Sequence, residues 1–228
     1  MNPTWGSPRI VGELAKVGIA VTKSTVDKYR VRVRKPPSPT WRAILKNHAK
    51  DIASIDFLVV PTVRFNILYV FLVLSIDRRE VIHFGVTQHP TAAWTAQQVV
   101  EAFPWDRLPK YLLRDRDKVY GDWSRQRVKN MGIEEVLTAP HSLWQNPYSE
   151  KLNGSIRREC LDHVIIMSEL HLKRIVAGYV AYYNQSQTHL SLGMASPSTR
   201  PVQMPDEGEV TAVPLVGGLH HRYERRAA

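Results

Sequence analysis

The chain has 228 residues, 43% of them apolar, and a formal net charge of +10. That is enough apolar chain to bury a core, which excludes a disordered tail, and the lone Cys160 excludes an internal disulfide or a cysteine-rich zinc site. The most apolar run, residues 67–74, is far short of the ~20 residues of a membrane span and the N-terminus lacks an apolar signal core, so the reading is a cytoplasmic chain with no membrane partner.

The charge is unevenly placed. Residues 1–50 carry eleven Lys or Arg against Glu13 and Asp27, while residues 51–228 are nearly balanced, with twenty against nineteen. A positive field concentrated at one end points to a segment that meets nucleic acid phosphates, although an acidic protein partner or a membrane surface would attract it too. Residues 7–17 set Ile10, Leu14 and Val17 on one helical face, and Gly18 ends the pattern. Thr22 lies in a connector that carries a cap, and residues 24–34 read as a second helix bearing Lys28, Arg30, Arg32 and Arg34. Two short helices about a glycine, the second basic, form the pattern of a helix-turn-helix, with those four side chains as DNA contacts. Residues 1–35 are assigned to it.

Lys35-Pro36-Pro37-Ser38-Pro39 cannot continue a helix, so residues 36–50 read as a linker. From residue 51 the chain alternates apolar strands and amphipathic helices. Residues 54–60, 67–76 and 81–86 are three strands of an antiparallel meander, and residues 92–103 are a helix. A short strand over 111–115 follows, then a helix over 122–131 and a strand over 133–137. A helix opens with Asn146 as N-cap and Pro147 at its first position and runs to about Cys160, and a longer one covers 168–184. The sum is an α/β domain with a mixed sheet of about five strands over residues 51–197. Residues 198–228 read as a basic, surface-bound tail with one possible strand at 209–216.

Three acids stand out. Asp56 lies inside an apolar strand, Asp115 ends a short strand, and Glu150 sits in the first turn of its helix, seven residues before Arg157 on the same face with Asn153 between them. Asp117 has the same claim as Asp115. Each taken alone is an ordinary surface or turn acid. Taken together, two Asp and one Glu make an all-oxygen set suited to Mg²⁺ or Mn²⁺, and two such ions ~3.5–4 Å apart support in-line phosphoryl displacement. His141, His163, His171 and His189 share no spacing that binds a metal.

Ile55-Asp56-Phe57, the stretch from Arg114 to Tyr120, and Asn146-Pro147-Tyr148-Ser149-Glu150 through Arg157 together resemble the catalytic core of retroviral-type integrases and bacterial insertion-sequence transposases. Between Asp115 and Glu150 lie 34 residues, as in the D,D-(34/35)-E pattern of that family, and Tyr183-Asn184 through His189 and Leu192 resembles its downstream motif. Two departures stand beside the likeness: Asp117 occupies a position where relatives carry Gly, and Gln187-Thr188 one where many carry Arg-Pro.

The resemblance implies a ribonuclease H-like fold holding two Mg²⁺ or Mn²⁺ ions, with Asp56 bridging both and Asp115 and Glu150 each completing one. It implies Arg157, helped by Asn153, on the DNA backbone. It further implies double-stranded DNA as partner, both transposon ends and target, a homo-oligomer that holds two ends, and a bacterial, nucleoid-associated protein. The implied reaction is hydrolysis that exposes a 3′-hydroxyl, followed by strand transfer. The alternatives are a truncated, catalytically idle DNA-binding remnant, and a nuclease of RNA–DNA hybrids.

Overall fold

A computed structural model describes residues 7–29, 39–104, 107–139 and 145–227. The chain divides into two compact units, Met1–Pro39 and Thr40–Ala228.

In the first unit, α1 (Ser7–Lys16) and α2 (Lys23–Tyr29) are joined by a tight turn. Gly18 takes φ +78°, a conformation L side chains resist, and the Ile19 N–H closes the turn on the Leu14 carbonyl at 2.9 Å. Thr22 Oγ1 accepts the Thr25 N–H and so caps α2. Val26 is buried, whereas Val17 is exposed, so the apolar face of the first helix is narrower than its spacing predicts. Lys28 is exposed; Arg30, Arg32 and Arg34 lie outside the described residues.

The second unit is built on a five-stranded sheet in the order β3-β2-β1-β4-β5, from β1 (Ile52–Pro61), β2 (Ile67–Ser75), β3 (Val81–Thr87), β4 (Tyr111–Arg114) and β5 (Glu134–Leu137). The first three form the antiparallel meander; β4 and β5 run parallel to β1. Alternation along β1 divides its side chains between two cores. Ala53 and Ile55 pack with Phe71, Val73 and Leu112 under α4 (Ala92–Ala102) and α5 (Asp122–Asn130). Leu58 and Val60 pack on the opposite side with Leu152 and Ile156 of α6 (Pro147–Glu159) and Leu172, Val176 and Tyr179 of α7 (Glu169–Gln185).

Two segments differ from their sequence readings. Within the stretch read as linker, residues Pro39–Asn47 form the helix α3, which buries Leu45 against Ile52, Ile76 and Leu113 with Trp41 packed alongside. The end of the chain is no simple tail: β6 (Glu209–Leu215) and β7 (His220–Arg226) pair as an antiparallel hairpin. His220 ties it to the core, stacking on Tyr182 at 4.3 Å and donating from Nε2 to the Glu159 carbonyl at 2.8 Å. No helix among the described residues is long and apolar enough to cross a membrane.

The downstream motif serves architecture. Asn184 reaches from α7 to the start of β3, accepting the Val81 N–H at 3.0 Å and donating to the Val81 carbonyl at 2.9 Å. Buried Tyr183 meets the His189 ring edge-on at 4.9 Å.

Candidate active site

The three acids come from three elements that the sheet and α6 bring to one place. β1 and β4 pair in parallel, Ser54 beside Leu113, and the same register carried two residues further sets Asp56 beside Asp115. On β1, Ser54 and Asp56 share the face that looks toward α6, where a core would otherwise place apolar side chains. α6 packs on that face, and its first turn carries Glu150.

Asp56 is held from both sides. Its Oδ1 accepts its neighbour Phe57's N–H at 2.8 Å, and its Oδ2 accepts Asn153 Nδ2 from α6 at 2.9 Å. Burial pushes its carboxyl up from 3.8 to about 7, and the charges of Asp115 and Glu150 push the same way against those two hydrogen bonds. Three carboxylates thus lie within electrostatic reach of one another. They are not a closed cage: among the described residues no three His, Cys, Asp or Glu side chains are arranged to hold a metal ion.

Asp117 is used differently from Asp115. Its Oδ1 accepts the Val119 N–H at 3.1 Å and caps the turn Lys118–Tyr120, while its own N–H donates to Asp115 Oδ1 at 3.1 Å. Arg114, almost fully buried, braces this turn: Nε donates to Glu135 Oε1 at 2.6 Å, Nη1 to the Asp115 carbonyl at 2.9 Å, and the guanidinium lies 4.8 Å over the Tyr120 ring. The Tyr120 hydroxyl is buried without a hydrogen-bond partner, and burial together with the charges of Asp115 and Asp56 holds its pKa well above the ordinary tyrosine value.

The remaining residues read from the sequence fall along the same helix. Asn153, read as an aid to DNA contact, instead bonds Asp56, and its Oδ1 is buried and unpaired. Arg157, one turn further, donates to the Val59 carbonyl at 2.9 Å. Asn146 precedes α6 but makes no capping bond with its side chain. Its Oδ1 accepts Ser54 Oγ at 2.7 Å, and Ser54 also bonds Ser149. This buried trio joins β1 to the start of α6 beside Asp56 and Glu150, and sequence reasoning missed it. Its available signal was Ser54, a polar residue two positions before Asp56 in an apolar strand. Trp144, in the segment before α6, lies outside the described residues.

A mixed five-stranded sheet with helices on both faces is a ribonuclease H-like architecture, and here it carries Asp56 on β1, Asp115 just after β4 and Glu150 on α6. Residues 131–197 match the family of the integrase core domain. An uncharacterized 39.2 kDa protein of insertion element IS476 from Xanthomonas euvesicatoria is 23% identical over 196 residues, which are 84% of this chain and 56% of that protein. The chain thus spans about half the length of this curated relative. Among solved structures, a chain of the simian T-cell lymphotropic virus intasome, in complex with PP2A regulatory subunit B56 gamma, aligns with TM-score 0.52 at 13% identity over 76% of this chain and 66% of that one. The catalytic domain of Mos1 mariner transposase aligns with TM-score 0.52 at 17% identity over 61% and 74%. The HTLV-2 integrase catalytic core domain in complex with magnesium, dimeric form, aligns with TM-score 0.50 at 11% identity over 66% and 94%. At these identities the structural likeness is one of fold, and it agrees with the resemblance carried by the motifs.

Proposed function

We propose that the chain is a DNA transposase or integrase core that hydrolyses and then joins DNA ends by phosphoryl transfer at Asp56, Asp115 and Glu150. The observation that carries this reading is the convergence of β1, β4 and α6, with Asn153 bonded to Asp56 across the strand–helix seam. A partly buried aspartate that resists ionisation beside two further carboxylates is a place that favours a cation.

The donor set fits Mg²⁺ or Mn²⁺, since it offers oxygen alone, and Asp56, Asp115 and Glu150 would hold the ions. Asp115 is preferred to Asp117 because the parallel register sets it beside Asp56, whose carboxyl feels the charge of Asp115. Bound there, the ions would supply acidity at the attacking oxygen and offset charge at the scissile phosphate. Glu150 is exposed and would swing toward Asp56 to close the set. Asn153 and the Phe57 N–H orient the Asp56 oxygens, and Arg157, released from the Val59 carbonyl, would turn its guanidinium to a DNA phosphate.

Double-stranded DNA, as element ends and as target, is the proposed substrate, and Lys28 on α2, with Arg30, Arg32 and Arg34 further along the sequence, is a proposed second DNA contact. Self-association is proposed on the same footing, since the likened integrases include an intasome and a dimeric core. A second reading, an idle DNA-binding remnant, is favoured by the acids not being arranged as a ready cage.

An end-labelled duplex carrying the element's terminal repeats, incubated with Mn²⁺, tests the proposal. Wild type is expected to nick at the end, and Glu150→Gln to lose about 100-fold or more of the rate. Equal rates would reject the site. A wild type that binds DNA in a salt-sensitive way but never nicks would favour the idle remnant.

A further inference from the structure

We propose that Arg114, anchored on Glu135, is a positioning residue that fixes Asp115 beside Asp56. The inference rests on the function proposed above and adds to it what holds the second acid in place.

Alternation along β4 separates Leu113, which packs with Ile52 and Tyr148, from Arg114, which shares the side of Leu112 and Tyr120. A guanidinium is a costly occupant of that apolar side, yet Arg114 is 3% exposed. Among the described residues it is the only Lys, Arg, Asp or Glu that is buried. A buried ion pair is weak support for a fold, because apolar side chains of similar volume serve stability as well or better. What this pair supplies is direction.

The guanidinium divides its donors between two partners. Nε donates to Glu135 Oε1 at 2.6 Å and Nη1 to the Asp115 carbonyl at 2.9 Å, so the planar fork ties the main chain of Asp115 to β5 in one geometry. The Tyr120 ring, 4.8 Å away, backs the fork. The residue after Asp115 repeats the device. Arg116 Nε donates to the Thr138 carbonyl at 2.9 Å, and the Thr138 N–H donates to the Arg114 carbonyl at 3.0 Å.

Asp115 therefore lies between two arginines that both reach β5 or the residue just past it. It needs such a frame: Asp56 sits within β1, whereas Asp115 falls one residue beyond the end of β4 and has no ladder of its own. Its Oδ1 accepts the Asp117 N–H at 3.1 Å, and its Oδ2 makes no hydrogen bond among the described residues. One oxygen sets the angle of the carboxylate and the other is left for a ligand. Groups that orient a metal ligand from behind change affinity or activity by about 10–100-fold when they are lost.

Mn²⁺ titrated calorimetrically into the full chain, beside metal-free melting and nicking of the end-labelled duplex, tests the inference. Arg114→Met with Glu135→Leu removes both charges at once and leaves neither unpaired, so the metal-free melting temperature should hold or rise. Mn²⁺ affinity should fall by about 10–100-fold, and nicking with it. Arg114→Lys keeps a charge for Glu135 but lacks the fork that also reaches the Asp115 carbonyl. It should melt as wild type does and still bind Mn²⁺ about tenfold more weakly.

Wild-type Mn²⁺ affinity in either variant would overturn the positioning role and leave the acid site standing. So would a loss of affinity seen only where the melting temperature falls. A wild type that binds no Mn²⁺ would overturn the acid site itself, and the role of Arg114 with it.

Discussion

The two sides of β1 use one strand for opposite ends. Toward α4, Ala53 and Ile55 enter a dry core with Phe71 and Leu112; toward α6, Ser54 and Asp56 occupy positions where apolar side chains would be the stable choice. Further along that second side, Leu58 and Val60 restore an apolar core with Leu152 and Ile156. Polarity is thus confined to the stretch facing the first turns of α6. A fold that sets like charges together where it could have buried hydrocarbon gives up stability at that spot.

The contrast is sharpest between neighbours. Ile55→Ala removes a side chain that is 1% exposed and should destabilise the chain by about 2–5 kcal/mol, read as a lower denaturation midpoint at unchanged slope. Asp56→Asn should act in the opposite direction at neutral pH. The Asp56 carboxyl titrates near 3.8 when unfolded and about 7 when folded. Below 3.8 it is protonated in both states and costs folding nothing. As pH climbs toward 7 the folded state alone keeps its proton and stability falls, and above 7 the cost is complete. Metal-free wild type should therefore melt at lower temperature at pH 8 than at pH 5. Asp56→Asn should flatten that dependence and be more stable at pH 8 by on the order of a few kcal/mol, while losing any nicking activity. A wild type whose melting is flat between pH 4 and 7 would break the comparison.

Much of this contrast was legible in the order of residues. A charge inside an apolar strand marks Asp56, and the i, i+3, i+7 spacing puts Glu150, Asn153 and Arg157 on one helix face. What spacing does not carry is which partner a polar atom finds. The bond from Asn153 to Asp56 forms because α6 lies close along β1 at that turn, a proximity the sequence does not carry. Arg114 carried no sign of burial, since its partner Glu135 comes from β5, a neighbour only once the parallel pairing forms. Helix α3 hid behind the prolines before it; the one-turn spacing of Trp41 and Leu45 was its signal. β7 hid because HHRYERR has no apolar alternation, and its polarity follows from an exposed hairpin rather than from a tail.

The buried trio at the polar seam offers a finer division. Ser54, Asn146 and Ser149 are all nearly inaccessible, and Ser54 bonds both of the others. Asn146→Ala leaves the Ser54 hydroxyl with Ser149 alone and should cost about 0.5–1.5 kcal/mol, the worth of one hydrogen bond. A double-mutant cycle between Ser54→Ala and Asn146→Ala should return a coupling of about 0.5–3 kcal/mol. Additive costs would mean that the trio does not hold α6 to β1.

Arg157 should show the smallest effect on folding and a clear one on binding. Its guanidinium bonds the carbonyl of Val59, a residue near the end of β1 that is itself 39% exposed. Water can replace that bond, so Arg157→Ala should shift stability by no more than about 0.5 kcal/mol. If the side chain turns to a DNA phosphate when substrate arrives, the same change should lower the salt slope of DNA binding by about one. The contact is to the backbone, so the loss should be alike for every sequence. Arg157→Lys keeps the charge but loses the planar fork, and should restore the slope more fully than the affinity. A variant that loses stability but binds DNA as wild type does would make Arg157 a clasp on β1 and nothing more.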